Sequence, residues 1–335
     1  MRRILLVATM ASVALASCVN EESMDLAQKA KKVSFDTPVM NTQTRATNFG
    51  EIETTYPKDE NFVVYAVRHS GNFTTWTAGS AFMSNVEVTY NTEANGWGNS
   101  TTDYYWPEDG NKLTFGAFSP TDVANVASYT DKGLQLSAFT VPATLATQYD
   151  LMYSDLAKNK TANETNGGYT GVPINFNHAL SSVVFQIAKS SELKETATLT
   201  EIEVVGLANT GAFDQNIDGA AQWIGTSGSA TYDVFTGSQE FTEDPTRAHN
   251  GEADMLLLPQ TLTNDAIVYI TYTLNNGQTY TRPVTLNELT DASSNVVNTW
   301  VMGTRYVYTI SLDADVIYFA PEPANWEQTD ITIAL

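Results

Sequence analysis

Three groups of residues have the types and spacing to do chemistry. Cys18 is the chain's single cysteine, so it cannot close a disulfide within the chain, and a lone thiol in an exported protein demands its own explanation. It follows Arg2, Arg3 and an apolar run over residues 4–16 that is too short for a membrane span of about 20 residues. Residues 1–17 therefore read as a signal peptide. Leu15-Ala16-Ser17-Cys18 resembles a bacterial lipobox, whose cysteine becomes diacylated and N-terminal. The alternative is an ordinary signal cleaved nearby with Cys18 incidental, and the single-cysteine count decides for the lipid.

The second group is arginine in a protease-ready setting. Thr44-Arg45-Ala46 ends a polar stretch, and Thr246-Arg247-Ala248 repeats the tripeptide within EDPTRAHNGE, a loop-like run open to a trypsin-like enzyme. Position favours cleavage between Arg45 and Ala46, because only a cut there separates Cys18 from the body of the chain. Arg68, Arg282 and Arg305 fall in expected strands, where a protease could not bind them in extended form.

The third group is a metal-like loop. Asp214, Asn216, Asp218 and Gly219 match the opening half of a calcium loop, with oxygen ligands at alternating positions and glycine at the sharp turn. The twelfth place holds Gly225 instead of a bidentate glutamate, and no helices flank it. The other reading is a turn between strands in which Asp and Asn bond their own backbone.

Catalytic constellations are lacking. His69, His178 and His249 have no HxH or HxxxH spacing, and no GxSxG occurs. His178 at the start of an apolar strand reads as a packed structural histidine. No enzyme and no cofactor are expected. Net charge is −21, from 38 acidic and 17 basic residues, which excludes direct nucleic-acid partners. A cut after Arg45 removes six basic and four acidic residues, leaving 11 and 34, a net of −23.

The elements that must position these residues are strands. From Ala46 onward, short runs rich in Thr, Val, Ile, Tyr and Phe alternate with Asn, Asp, Gly and Pro, the texture of an all-β chain. Residues 61–68 read as a strand buried on both faces, 81–90 as an alternating strand closed by Asn95-Gly96, and 112–119 as a partner strand. Residues 122–129 read as a short helical turn and 150–155 as a strand. The polar run 158–171 is the expected join between domains. Strands are expected at 172–188, 199–207, 253–259, 266–274, 278–284 and 304–312, with Asn275-Asn276-Gly277 a hairpin turn. A proline-bounded kink is expected at Pro321 and Pro323. Two segments lie outside this body: the strand-like residues 32–43, with Val33 and Phe35 alternating, and a terminal strand, Ile331, Ile333 and Leu335, expected to be free to leave. Trp76 and Trp97, in expected loops, are the two tryptophans left open as sugar platforms, the basis of an alternative reading as a tethered glycan-binding lipoprotein.

The succession of lipobox Cys18, KVSF, Thr44-Arg45-Ala46, YYWP with LTFGAFSP, DLMYSD, FNHALSSVVFQI, MLLLPQTL, GTRYVYTISL and Trp326 resembles the fimbrillin family of Bacteroidota, the type V pilins. The resemblance implies an all-β chain of two transthyretin-like β-sandwich domains in tandem, over residues 46–165 and 166–335, behind a lipidated propeptide at 18–45. It implies transport to the outer membrane, where lipid holds the precursor through Cys18, and an arginine-specific protease that cuts after Arg45. The cut frees the exchangeable first strand carrying Val33 and Phe35. The donor strand Ile331–Leu335 of another pilin subunit fills the vacancy, building a cell-surface fimbrium used in adhesion.

Overall fold

The computed structural model describes residues 31–36, 39–40, 56–99, 101–162, 171–251, 253–291, 293–313 and 317–325. Among them the chain is almost wholly strand, as its texture implies. The largest sheet has the order β1 (Val39–Met40), β10 (Asn175–His178), β8 (Met152–Ser154), β5 (Lys112–Ser119), β2 (Phe62–His69), β3 (Ser80–Asn91) and β4 (Gly96–Asn99), with β9 (Ala157–Lys160) also on β5. Central β2 and β5 are apolar on both faces because each is covered on both. Toward the edge, β3 alternates, burying Met83, Val86 and Val88. Its turn into β4 uses Asn95 at φ +48°, with Asn91 Oδ1 accepting from Ala94 N at 2.9 Å.

A second sheet orders β16 (Thr246–Arg247), β11 (Ser181–Lys189), β22 (Thr304–Leu312) and β23 (Ile317–Asn325), with β17 (Met255–Leu257) also on β11. A third orders β15 (Ala230–Glu240), β12 (Ala197–Leu207), β19 (Ile267–Leu274) and β20 (Thr279–Thr285). The β19–β20 hairpin turns at Gly277, φ +83°, a conformation that favours glycine. A fourth orders β14 (Gln222–Ser227), β13 (Thr210–Asp214), β7 (Gly133–Thr140) and β6 (Ala127–Thr130), and β18 (Gln260–Thr261) pairs with β21 (Thr299–Trp300). Among the described residues no helix is long and apolar enough to cross a membrane.

Three local expectations differ from the structure. In the stretch expected as a helical turn at 122–129, helix is limited to Thr121–Val123, and Ala127–Thr130 is a strand instead. Tyr129 accounts for this: its ring packs against Tyr65 and Trp76, and its hydroxyl donates to Ala117 O at 3.0 Å, which fixes the chain extended. The polar run from 158 begins as strand, paired to β5. Pro321 and Pro323 make no kink: β23 runs through both, opposite Tyr308 and Tyr306. An edge strand tolerates proline because one of its sides has no ladder to break.

The buried apolar residues fall into two clusters. The first gathers Val33, Phe35, Tyr56, Phe62, Trp97 and Phe115, with Val172 and Phe176 from later in the chain. The second joins Phe118, Leu134 and Leu136 to Phe185, Val204 and Ile310. Pairing and packing therefore cross residue 165. β7 pairs with β13, and Gln215 ties Leu134 N at 2.8 Å to Ser154 O at 2.7 Å.

Candidate functional site

Residues 31–36 lie in a trough of the first cluster, and apart from Val39–Met40 the next described stretch begins at Tyr56. Their alternation decides which way they face. Val33 and Phe35 are buried, while Lys31 and Lys32 are exposed. The Phe35 ring meets Phe115 edge-on with centroids 5.7 Å apart and Phe62 at 6.2 Å, geometry suited to the aromatic quadrupole.

Both sides of the segment are hydrogen-bonded. On one side, Trp106 N donates to Lys31 O at 3.0 Å, Val33 N to Tyr104 O at 2.7 Å and Phe35 N to Trp97 O at 3.0 Å. On the other, Val172 N donates to Ser34 O at 2.8 Å and Asp36 N to Val172 O at 3.1 Å. Lys31 Nζ adds a bond to Ala162 O at 2.8 Å, and Lys32 pairs with Asp103. Further on, Val39–Met40 runs parallel to β10 at the sheet edge. The start of the chain thus fills two vacancies, an interior trough and an edge.

This attachment is finely balanced. Burying Val33 and Phe35 contributes about 1.5–3 kcal/mol each, and the five backbone hydrogen bonds about 0.5–1.5 kcal/mol each. Ordering six residues costs about 1–2 kcal/mol apiece, which nearly cancels that gain. Retention of the strand therefore rests on a small difference between large opposing contributions.

The other candidate residues are disposed differently. Thr246-Arg247-Ala248 is not an open loop. Thr246–Arg247 is strand on β11, Ala248 is fully buried and its N–H donates to Phe185 O at 2.9 Å. Arg247 Nη1 donates to Asp254 Oδ1 at 2.6 Å, and Asp254 Oδ2 accepts from Arg305 Nε at 2.9 Å and Ser182 Oγ at 2.8 Å. A protease needs an extended, unpaired site, so the rival to Arg45 is removed. Burial pushes the Asp254 carboxyl up, but Arg305 and Arg247 together hold it below the ordinary carboxylate range. Local sequence carried no sign of this network, which joins Asp254 to Arg247 seven residues away and to Arg305 and Ser182, 51 and 72 residues away.

Asp214 is committed to protein partners. Its Oδ1 accepts from Gln135 Nε2 at 2.7 Å and Asn216 N at 2.9 Å, and Lys132 stands 3.7 Å from Oδ2. Asn216 sits at φ +47° and its carbonyl accepts from Gly219 N at 2.7 Å. These are the bonds of the turn reading. Among the described residues no three His, Cys, Asp or Glu side chains converge. His178 is a packed histidine, its Nδ1 donating to buried Asp150 at 2.7 Å.

Trp76 and Trp97, expected in loops as sugar platforms, are buried. Trp97 lies in β4 at 1% exposure, against Tyr56, Phe62 and Tyr90, and Trp76 stacks on Tyr129 at 4.9 Å. Neither presents a face to a sugar, which corrects the basis of the glycan-binding alternative. Cys18, Arg45, Ala46, Ile331, Ile333 and Leu335 lie outside the described residues.

A family model described as fimbrillin-like matches residues 44–333. Similar solved structures include a fimbrial protein from Bacteroides vulgatus, 17% identical, with a TM-score of 0.61 over 88% of this chain and 99% of that one. A protein from Bacteroides uniformis assigned to cell adhesion is 16% identical, with a TM-score of 0.55 over 89% and 98%. One from Bacteroides ovatus, likewise assigned to cell adhesion, is 17% identical, with a TM-score of 0.53 over 90% and 99%. At such identities these likenesses show the fold. No curated protein sequence matches the chain.

Proposed function

Because the chain belongs to the fimbrillin-like family, we propose that it is a structural subunit of a cell-surface fimbrium, exported as a lipoprotein precursor and polymerised by strand exchange. The observation that carries the reading is the separate first strand. Val33 and Phe35 fill the trough from a segment held by five backbone hydrogen bonds, while a cut after Arg45 would sever the segment from the body. Cys18 carries the lipid to the outer membrane, and an arginine-specific protease acts between Arg45 and Ala46. Removal of residues 18–45 vacates both the trough and the edge of β10. Unpaired peptide groups and exposed aromatic walls are costly in water, so a matching strand is captured.

Ile331, Ile333 and Leu335 of a neighbouring subunit supply that strand. Head-to-tail repetition gives an open polymer, because donor and acceptor surfaces differ. A division into two transthyretin-like units near residue 165 belongs to the same proposal, with Val172 and β10 completing the first unit. Membership in this family makes the chain a structural protein and not an enzyme. Its partners are other pilin subunits, and its place is the cell surface.

The test is intact mass and gel migration of the chain lacking residues 1–18, before and after limited digestion with an arginine-specific protease. The expected result is one early cut after Arg45 followed by a ladder of heat-dissociable oligomers. A chain that is cut there and stays monomeric would overturn the reading.

A further inference from the structure

We infer that Gly171 is the residue that admits a strand to the trough, governing both retention of residues 31–36 and capture of whatever strand replaces them. The inference rests on the strand-exchange reading and deepens it by naming what the acceptor requires of its own chain. A Cβ placed on Gly171 would stand 2.5 Å from the carbonyl carbon of Phe35, 2.6 Å from Asp36 N and 2.8 Å from Ser34 O. All three are backbone atoms, so no rotamer change relieves the clash. Side-chain identity is irrelevant to it. Any strand seated at this depth brings its own backbone through the same space.

The residues that follow complete an acceptor station. Val172, buried at 0% exposure, both donates to Ser34 O and accepts from Asp36 N. Pro173 biases the residue before it toward extended backbone, which holds Val172 in the conformation that presents both groups. Gly171 thus opens the space, Val172 supplies the bonds and Pro173 fixes their direction. The opposite wall has no such constraint: a Cβ on Gly98, next to Trp97, meets nothing within 4 Å.

The experiment compares the chain lacking residues 1–18 with its Gly171→Ala variant and, as control, Gly98→Ala. Before digestion, amide exchange is followed at Val33, Phe35, Asp36 and Val172. Gly171→Ala is expected to speed exchange at these amides roughly tenfold or more, while Ile202 and Ile270 of the second core keep wild-type protection and Gly98→Ala leaves every site unchanged. After the arginine-specific cut, which proceeds at least as fast, Gly171→Ala is expected to shed residues 19–45 at once and lose the oligomer ladder. Unchanged exchange at residues 33–36 overturns the inference. So does a wild-type ladder from Gly171→Ala, or loss of protection at Ile202 and Ile270, since the clash is confined to the trough. If the unsubstituted chain is cut and forms no ladder, strand exchange fails together with the capture role, and the exchange data alone decide the retention role of Gly171.

Discussion

The two cores of this molecule are closed in opposite ways. The first is aromatic, built from Tyr56, Phe62, Trp97, Phe115 and Phe176, and it is completed by residues 31–36, which the chain contributes from beyond its own body. The second is largely aliphatic and is completed by its own sheets and by buried Asp254 and Ser182 bonded to half-buried Arg247 and Arg305. The first core holds residues 31–36 by backbone hydrogen bonds and apolar pockets, neither of which depends on a side-chain charge. A core meant to persist is locked by charges whose partners cannot be replaced piecemeal.

The largest expected effect breaks the locked side. Asp254→Ala removes the buried carboxylate that pairs half-buried Arg247 and Arg305, a change that costs about 3–4 kcal/mol, toward the lower end for a broken buried pair because water reaches both guanidiniums. Urea unfolding should show the loss even in a chain already cut after Arg45. The trough should respond differently. Phe35→Ala removes about 3 kcal/mol of burial and packing, as much as the segment's whole net attachment. Its expected outcome is release of residues 31–36, seen as lost amide protection at Val33 and Asp36, with the second core unmoved. If Phe35→Ala in the uncut chain instead strips protection from the second core as well, the two cores are not independent.

How far this contrast was legible in the sequence depends on the range of the interactions. The alternation of Val33 and Phe35 and the apolar runs of β2 and β5 are local patterns, and they gave the fold class and the buried face of the first strand. Gly171 was not legible. Its partners are residues 34–36, and nothing in GYTGVP marks that glycine as a point of contact. Arg247 read as a loop residue because its neighbours are polar, whereas its strand is secured by Asp254 and the backbone of β11. Trp97 read as exposed because Asn and Gly surround it, yet β3 holds β4 in place and turns the indole inward.

A pH titration sharpens the comparison with a smaller effect per step. His249 is buried, and its Nε2 accepts from Phe185 N at 2.8 Å, a bond that requires the neutral ring. Burial first, then the Arg247 charge, push its pKa down to about 3 from an ordinary value of 6.5. Asp254 acts the other way on it, and Arg305 adds to the depression. The unfolded chain therefore takes up a proton below pH 6.5 that the folded chain refuses. The corresponding stability is fully present above pH 6.5 and is lost as pH falls toward 3, by about 1.4 kcal/mol per pH unit. Asp254, held below the carboxylate range, loses its own contribution only at the acid end. His249→Gln, which keeps an acceptor for Phe185 N, should flatten the unfolding free energy between pH 6 and 4.5 (a window of about two kcal/mol). A slope unchanged by the substitution would assign the acid loss elsewhere.

The smallest effect concerns the ion pair at the mouth of the trough. Lys32 and Asp103 are each 49% exposed, so solvent screens their attraction and holding two mobile side chains offsets much of it. Lys32→Ala should change the stability of the uncut chain by less than about 0.5 kcal/mol, and added salt should remove even that difference. The pair nonetheless bears on the contrast between the cores. If it held the first strand as Asp254 holds the second sheet, Lys32→Ala would release residues 31–36 as fully as Phe35→Ala does. Protection at Val33 within about twofold of wild type would leave the strand dependent on its pockets and backbone hydrogen bonds, neither of which needs the lysine.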